Sequence, residues 1–287
     1  MDVALIAVPY HLGHLSVGVG AGPDRLLDGG VGDALRRHGH VVEVVRVSLD
    51  PQPNEVAALF ATAGLVSRHV AGAVGRGAFP LVLSGNCFCS LGIVAGVGSD
   101  LGVVWLDAHP DFNTTEATTS GFADGMGLAV LTGTGWNALR ETIPGYRMVP
   151  ERNVILVGAR DINPPEEARL QASDITRVDV ADSSLRLLPV ATEFAARIEG
   201  VYFHLDLDVL DPSEGRANEY AAAGGLRASD ISSAIDTVGR LLVLRATAVT
   251  AYDPTLDPGG SLAETAVELV ARIADTASVE RAARVSA

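Results

Sequence analysis

Asp107, His109 and Asp111 are three metal-capable side chains at alternate positions of one short run, Trp105-Leu106-Asp107-Ala108-His109-Pro110-Asp111-Phe112-Asn113-Thr114. In extended backbone every second side chain points the same way, so the three can converge on one ion. Carboxylate, imidazole and carboxylate make a hard to borderline donor set that suits Mn, Fe(II) or Zn. The same letters also fit a surface turn in which Asp and Asn bond to nearby backbone. A second run changes the balance. Val201-Tyr202-Phe203-His204-Leu205-Asp206-Leu207-Asp208-Val209-Leu210-Asp211-Pro212 is another apolar segment ending in alternating acids, with His204 in phase with Asp206 and Asp208. Carboxylates at the ends of buried strands are costly to keep ionised unless paired or metal-bound. Five acids or imidazoles from two strands can hold two cations about 3.5 to 4 Å apart, bridged by a carboxylate and a water. The pattern predicts a dinuclear hydrolytic centre.

The elements that position these residues follow from hydrophobic patterning. Apolar runs alternate with helical periodicity, the signature of a mostly parallel sheet with helices on both faces, an α/β fold. Strands are expected near Val3 to Val8, Val41 to Val47, Leu81 to Ser84, Val103 to Leu106, Val154 to Val157, Val201 to Leu205 and Ala246 to Ala251. Helices are expected at Glu55 to Val74, Pro164 to Gln171, Thr192 to Ile198, Ser229 to Leu242 and Ser261 to Thr276, several opened by an N-cap or an early Pro. No repeat, low-complexity tract or linker divides the chain, so residues 1–287 are expected to form a single domain. In open α/β sheets ligands bind beyond the carboxyl ends of the strands, where both acidic runs fall.

Composition sets outer bounds. A chain of 287 residues with 48% hydrophobic content can bury one large core and argues against disorder. A net charge of -14 argues against a nucleic-acid or anionic-membrane partner. No stretch is expected to reach the roughly 20 apolar residues of a membrane span. The start, Met1-Asp2-Val3-Ala4-Leu5, lacks the basic region of a signal peptide, so a cytoplasmic location is expected. Cys87 and Cys89 are too close in sequence to make a favoured disulfide, in keeping with a reducing compartment.

The chain resembles the arginase, agmatinase and formiminoglutamase family, the ureohydrolases, over most of its length. Asp107-Ala108-His109-Pro110-Asp111-Phe112-Asn113 is similar to the family's DAHxDxN motif, and His204-Leu205-Asp206-Leu207-Asp208-Val209-Leu210-Asp211-Pro212 to its SxDxDxxDP motif. Gly158-Ala159-Arg160-Asp161 resembles its G-x-R-D segment and Gly224-Gly225-Leu226 its GGL turn. The resemblance implies a three-layer α/β/α, arginase-like fold and a trimeric or hexameric homo-oligomer. It also implies two divalent ions per subunit, manganese foremost, and a metal-bridging hydroxide that attacks the carbon of a small guanidino or imino substrate. By position, Asp107 and Asp206 would bridge the ions, and His109 and Asp208 would complete one shell. Asp111 would serve the other ion and accept a proton from the bridging water.

Several positions depart from the family pattern. The GGDHS motif, whose His ligates the first ion, is here Ser84-Gly85-Asn86-Cys87-Phe88. Cys87 is either a small buried hydrophobe or a thiolate ligand that would favour Zn or Fe over Mn. Cysteine there also resembles a branch that hydrolyses N-hydroxyarginine. Asp124 occupies the place of the arginases' His proton shuttle and could relay protons or cap a turn. Asn113 and Ser120 match positions that hold a substrate carboxylate, and Asn163 matches an acid that meets the substrate ammonium. Ala251 falls on the Glu that grips the guanidinium. Losing one partner of a desolvated charge pair costs roughly 2 to 5 kcal/mol, so L-arginine is expected to be a poor substrate. Arg227 could select an acidic substrate or simply stand at a helix start. The expected activity is hydrolysis of a linear C-N bond in a guanidino, hydroxyguanidino or formimino compound. A non-catalytic metal-binding paralogue is the alternative, and amide deacetylation on a related scaffold fits the acid pattern less closely.

Overall fold

The computed structural model describes residues 1–98, 100–198 and 200–285. Its strands are β1 (Asp2–Val8), β2 (Tyr10–His11), β3 (His14–Leu15), β4 (Val41–Arg46), β5 (Phe79–Ser84), β6 (Gly102–Leu106), β7 (Val154–Val157), β8 (Thr176–Val178), β9 (Gly200–Asp206) and β10 (Val243–Thr250). Its helices are α1 (Gly22–Asp28), α2 (Val31–Arg37), α3 (Glu55–Gly75), α4 (Ser90–Val97), α5 (Gly127–Leu131), α6 (Asn137–Arg140), α7 (Pro164–Gln171), α8 (Ser183–Ala195), α9 (Ala228–Leu241) and α10 (Ser261–Val285). Eight strands form one sheet in the order β4-β1-β5-β10-β9-β6-β7-β8, and every pairing in it is parallel. All eight carboxyl ends therefore open onto one edge.

Period-two alternation divides the core between two faces. On β1, Ala4, Ile6 and Val8 join a cluster with Leu59 and Phe60 of α3, Leu91 of α4 and Leu128 of α5. Val3 and Leu5 face the opposite cluster, with Leu26 of α1, Leu35 of α2, Ile231 of α9 and Leu269 of α10. Helices thus cover both faces of a buried parallel sheet, which is why its strands read as nearly unbroken apolar runs. This is the α/β/α arrangement that the resemblance implied.

All seven expected strands are present. The eighth, β8, is a three-residue edge strand with two half-buried positions, too short to show a period. The helix expected at Thr192 to Ile198 instead occupies Ser183–Ala195, with Pro189 inside it. Proline normally breaks a helix interior, so the first two turns were hidden behind it. One sequence expectation about membranes needs correction. By length and composition α3 could cross a bilayer, but 56% of its most apolar window is buried in the protein, where it packs on α4 and β5.

Candidate metal and active site

The parallel register builds the site. Leu106, the last residue of β6, pairs with Leu205 of β9, so Asp107 and Asp206 emerge side by side at the carboxyl edge. On the far side of β9, Thr250 of β10 pairs with Asp206 and with Ser84 of β5. Cys87 follows β5 in a single 3-10 turn, Cys87–Cys89. The convergence of Asp107, His109 and Asp111 does not arise by strand alternation, because β6 stops at Leu106. Asp111 lies in the left-handed region at φ 48°, and the N–H groups of Leu128 and Ala129 hold its carbonyl at 2.9 and 3.2 Å. A loop held by α5 carries Asp111 to the cavity wall, and it does not bring that carboxylate together with Asp107 and His109 as the extended segment was expected to do. Likewise Asp206 ends β9 and Asp208 lies in the following 3-10 turn, where its N–H donates to Asp206 Oδ1 at 2.8 Å.

All ten sequence-predicted site residues, Cys87, Asp107, His109, Asp111, Asn113, Ser120, Asp124, Asn163, Asp206 and Asp208, line one cavity of about 720 Å³. Two sets of ligand atoms gather at or just beneath its floor, His204 lying behind the lining. Asp107, His109 and Asp208 offer atoms within 4.8 Å of one another, as do Cys87, Asp107, His204 and Asp206. Asp107 belongs to both, whereas Asp206, which the resemblance also makes a bridge, belongs to the second alone. Asp111 lines the cavity but falls in neither set. His109 Nδ1 stands 3.2 Å from Asp208 and 3.5 Å from Asp107, and the Cys87 thiol donates to Asp206 Oδ2 at 2.9 Å.

Electrostatics show what the cluster lacks. Burial, then repulsion from Asp208, pushes Asp107 up to about 7. Burial and neighbouring carboxylates likewise hold Asp111 and Asp206 well above the usual range. For His109 burial opposes the charged form, yet hydrogen bonds to Asp107 and Asp208 push it up to about 12. Burial also works to raise Asp208, but His109, Asn218 and the Ala108 N–H hold it below the ordinary carboxylate value. Three buried acids that resist ionisation, around one imidazolium standing in as a cation, form a donor set that fits divalent metal.

The substrate-side residues are placed differently from one another. Asn163 is the N-cap of α7, accepting the Glu166 N–H at 3.1 Å while its amide donates to Asn113 at 3.1 Å. Ser120 accepts the Phe122 N–H in a local turn at 3.2 Å. Asp124 accepts from the Asn86 amide at 2.6 Å, the Cys87 N–H at 3.3 Å and the Phe88 N–H at 2.8 Å. Ala251 lies on the cavity wall in the left-handed region at φ 61°. Asp253 does not replace the carboxylate missing there, since its side chain caps Thr255 at 2.9 and 2.7 Å. Arg227 is 72% exposed and pairs with Glu214 at 3.4 Å, away from the cavity lining.

Four features of the site escape the motifs. Glu166, 3% exposed, accepts the Phe112 N–H at 2.9 Å, and its place three residues after an Asn N-cap was a legible signal. Asn218 donates to Asp208 at 3.0 Å from a loop with no pattern. Phe122 and Tyr220 face each other at the cavity wall, 5.5 Å between ring centroids. His204 was visible as in phase, but only the structure sets it among the ligand atoms.

A parallel α/β/α sheet with two overlapping sets of metal-capable side chains at its carboxyl edge defines a metal-dependent hydrolase. The chain belongs to the arginase family, whose model matches residues 1–275. It is 30% identical to an arginase of Bacillus caldovelox, covering 93% of this chain and 96% of that protein. It is 27% identical to an arginase of Bacillus subtilis over 93% of this chain and 96% of the other. A crystal structure of arginase from Bacillus cereus superposes with a TM-score of 0.86 at 27% identity, over 95% of this chain and 98% of that one. The chain is accordingly a hydrolase acting on C-N bonds of linear amidines, of a family that uses a binuclear metal centre.

Proposed function

We propose that this chain hydrolyses a cationic guanidino, hydroxyguanidino or formimino compound other than free L-arginine. The observation that carries the reading is the pair of ligand sets sharing Asp107 at the floor of a cavity whose wall at residue 251 is a methyl group. Asp107, His109 and Asp208 would hold one ion, and Asp107, Cys87 and Asp206 the other, with Asp111 lining the same cavity. Bound there, two divalent cations, manganese or a softer metal, supply Lewis acidity and an activated water.

The chain's own residues do the rest. Glu55, Asp161 and Glu166 are acids of the cavity lining, and among the described lining residues there is no arginine, which favours a cationic substrate over an acidic one. Asn113, Ser120 and Asn163 present neutral amides and a hydroxyl for the substrate's polar tail. Phe122 and Tyr220 supply apolar surface beside them. Asp111, on the cavity lining, would take a proton. Asp124, engaged by three donors from residues 86–88, positions the Cys87 turn before any part it takes in proton transfer.

Metal analysis with a substrate panel tests the reading. Near two ions per chain should be found, with release of urea, hydroxyurea or ammonia from at least one panel member. Asp206→Asn should abolish that turnover and lower the metal content. One ion or fewer after manganese, zinc and iron reconstitution, with no turnover of any guanidino or formimino compound, would overturn it.

A further inference from the structure

We infer that His204 is a ligand of the deeper ion, joining Cys87 there and supplying from β9 the imidazole that the turn after β5 lacks. The inference rests on the binuclear reading above and assigns one residue of that site. Cys87, Asp107, His204 and Asp206 are all buried, and each offers a ligand atom within 4.8 Å of the others. His204 sits one side-chain layer below Asp206 on the same strand, with its Cα opposite Ala248 of β10 and Trp105 of β6.

The ring is held as a metal-bound imidazole is held. Ligating histidines engage their second ring nitrogen with an oxygen partner, which fixes tautomer and orientation. Here Nδ1 meets the Tyr202 hydroxyl at 2.8 Å and Ser90 Oγ at 3.2 Å. The ring stacks on Trp105 at 3.6 Å between centroids and 16° between planes, and Trp105 Nε1 donates to Asp107 Oδ2 at 3.0 Å. Nε2 remains, with a long 3.5 Å contact to Thr250 Oγ1. That hydroxyl also lies 3.2 Å from Cys87 Sγ and 3.3 Å from Asp206 Oδ2, so Nε2 borders the same knot of donors.

The motifs show the same exchange in sequence. Where GGDHS has His this chain has Cys87, and where SxDxDxxDP has Ser it has His204. One imidazole is lost and one gained on two strands that both flank β10. The result is two unlike sites. The deeper combines sulfur, nitrogen and two carboxylates, a softer set that favours Zn, Co or Fe(II) over Mn, whereas the outer keeps His109 with carboxylates.

Anaerobic cobalt and zinc titration of the metal-stripped full chain, with X-ray absorption of the zinc form, tests this. Wild type should bind two equivalents and show thiolate-to-cobalt charge transfer. His109→Ala should keep that band and still show imidazole scattering at the sulfur-bound zinc. His204→Ser should weaken the sulfur-bound ion by more than the roughly 10- to 100-fold typical of an outer-shell change. Should His204→Ser fail to fold, the same spectrum of a His11→Ala, His109→Ala double variant decides alone, because among the described residues His204 is then the imidazole left in the cavity lining and the ligand sets. Unchanged affinity and band in folded His204→Ser, or no imidazole on the sulfur-bound zinc of His109→Ala, overturns the inference while two bound ions leave the binuclear reading intact. No tight ion in wild type overturns both.

Discussion

Ala251 shows how one side chain can redirect a retained site. Its backbone is left-handed, only 8% of the residue is exposed, and it lines the cavity with a methyl group. Alanine already bears the cost of this conformation, so a Glu there adds little further backbone strain. Ala251→Glu should therefore fold and place a carboxylate in the cavity. A desolvated charge pair is worth roughly 2 to 5 kcal/mol, and 1.4 kcal/mol is tenfold, so kcat/KM for L-arginine should rise by at least about tenfold. Steady-state assays of both proteins measure this. No gain in the variant would mean that something other than the missing acid excludes arginine. The residue types of the metal floor were legible because strand ends restrict which carboxylates can survive there. Glu166 and Asn218 were less so, since an acid in a first helical turn and an amide in a loop have ordinary structural uses.

At the scale of elements, short turns bolted to the sheet edge aim the ligands. Arg160 donates to the carbonyls of Asp208, Leu210 and Ala222 at 2.9, 3.2 and 2.7 Å, locking the turn after β9 to the Gly224-Gly225 turn. A Cβ on Gly225 would come within 2.5 Å of the Asp211 backbone nitrogen and 2.6 Å of the Leu210 carbonyl carbon, which explains glycine there. Asp124 does the same for the turn carrying Cys87. Its oxygens accept from three N–H donors, and an amide in its place would turn NH2 toward one of them. Asp124→Asn should cost about 2 to 3 kcal/mol, the scale of charge-assisted hydrogen bonds with one donor left unpaired. The melting temperature and the affinity of the sulfur-bound ion should fall together. A variant with wild-type stability and metal content but slowed turnover would instead make Asp124 a proton carrier. Periodicity located the strands because it is a property of residues in sequence. It could not show that Asp111 arrives through a left-handed loop, or that Pro189 lies within α8, because those depend on packing partners far along the chain.

At the scale of the whole molecule, an acidic chain concentrates its least comfortable charges at one edge of its sheet, and stability should report this through pH. Asp107, held near 7, and Asp111 and Asp206, held above their ordinary values, bind protons more tightly folded than unfolded. Stability from such groups is full below an unfolded pKa of about 4 and is lost as pH rises through the folded value. His109, held near 12, has the same sign, over a window that begins near its unfolded value of about 6.5. Asp208, whose value is lowered, acts only below the unfolded range, as pH falls through its folded value. The metal-free protein should therefore melt at lower temperature as pH rises from about 5 to 7.5, and a net charge of -14 adds self-repulsion of the same sign. Divalent metal reverses the slope, because ions bind the deprotonated ligands and displace those protons, so the melting temperature gained on adding metal should grow across the same interval. Thermal melts in chelator and in zinc or manganese at several pH values measure both slopes. A metal-free protein whose melting temperature climbs between pH 5 and 7.5, with a metal increment that stays flat, would mean that the clustered acids are ionised in the folded chain without a cation to hold them.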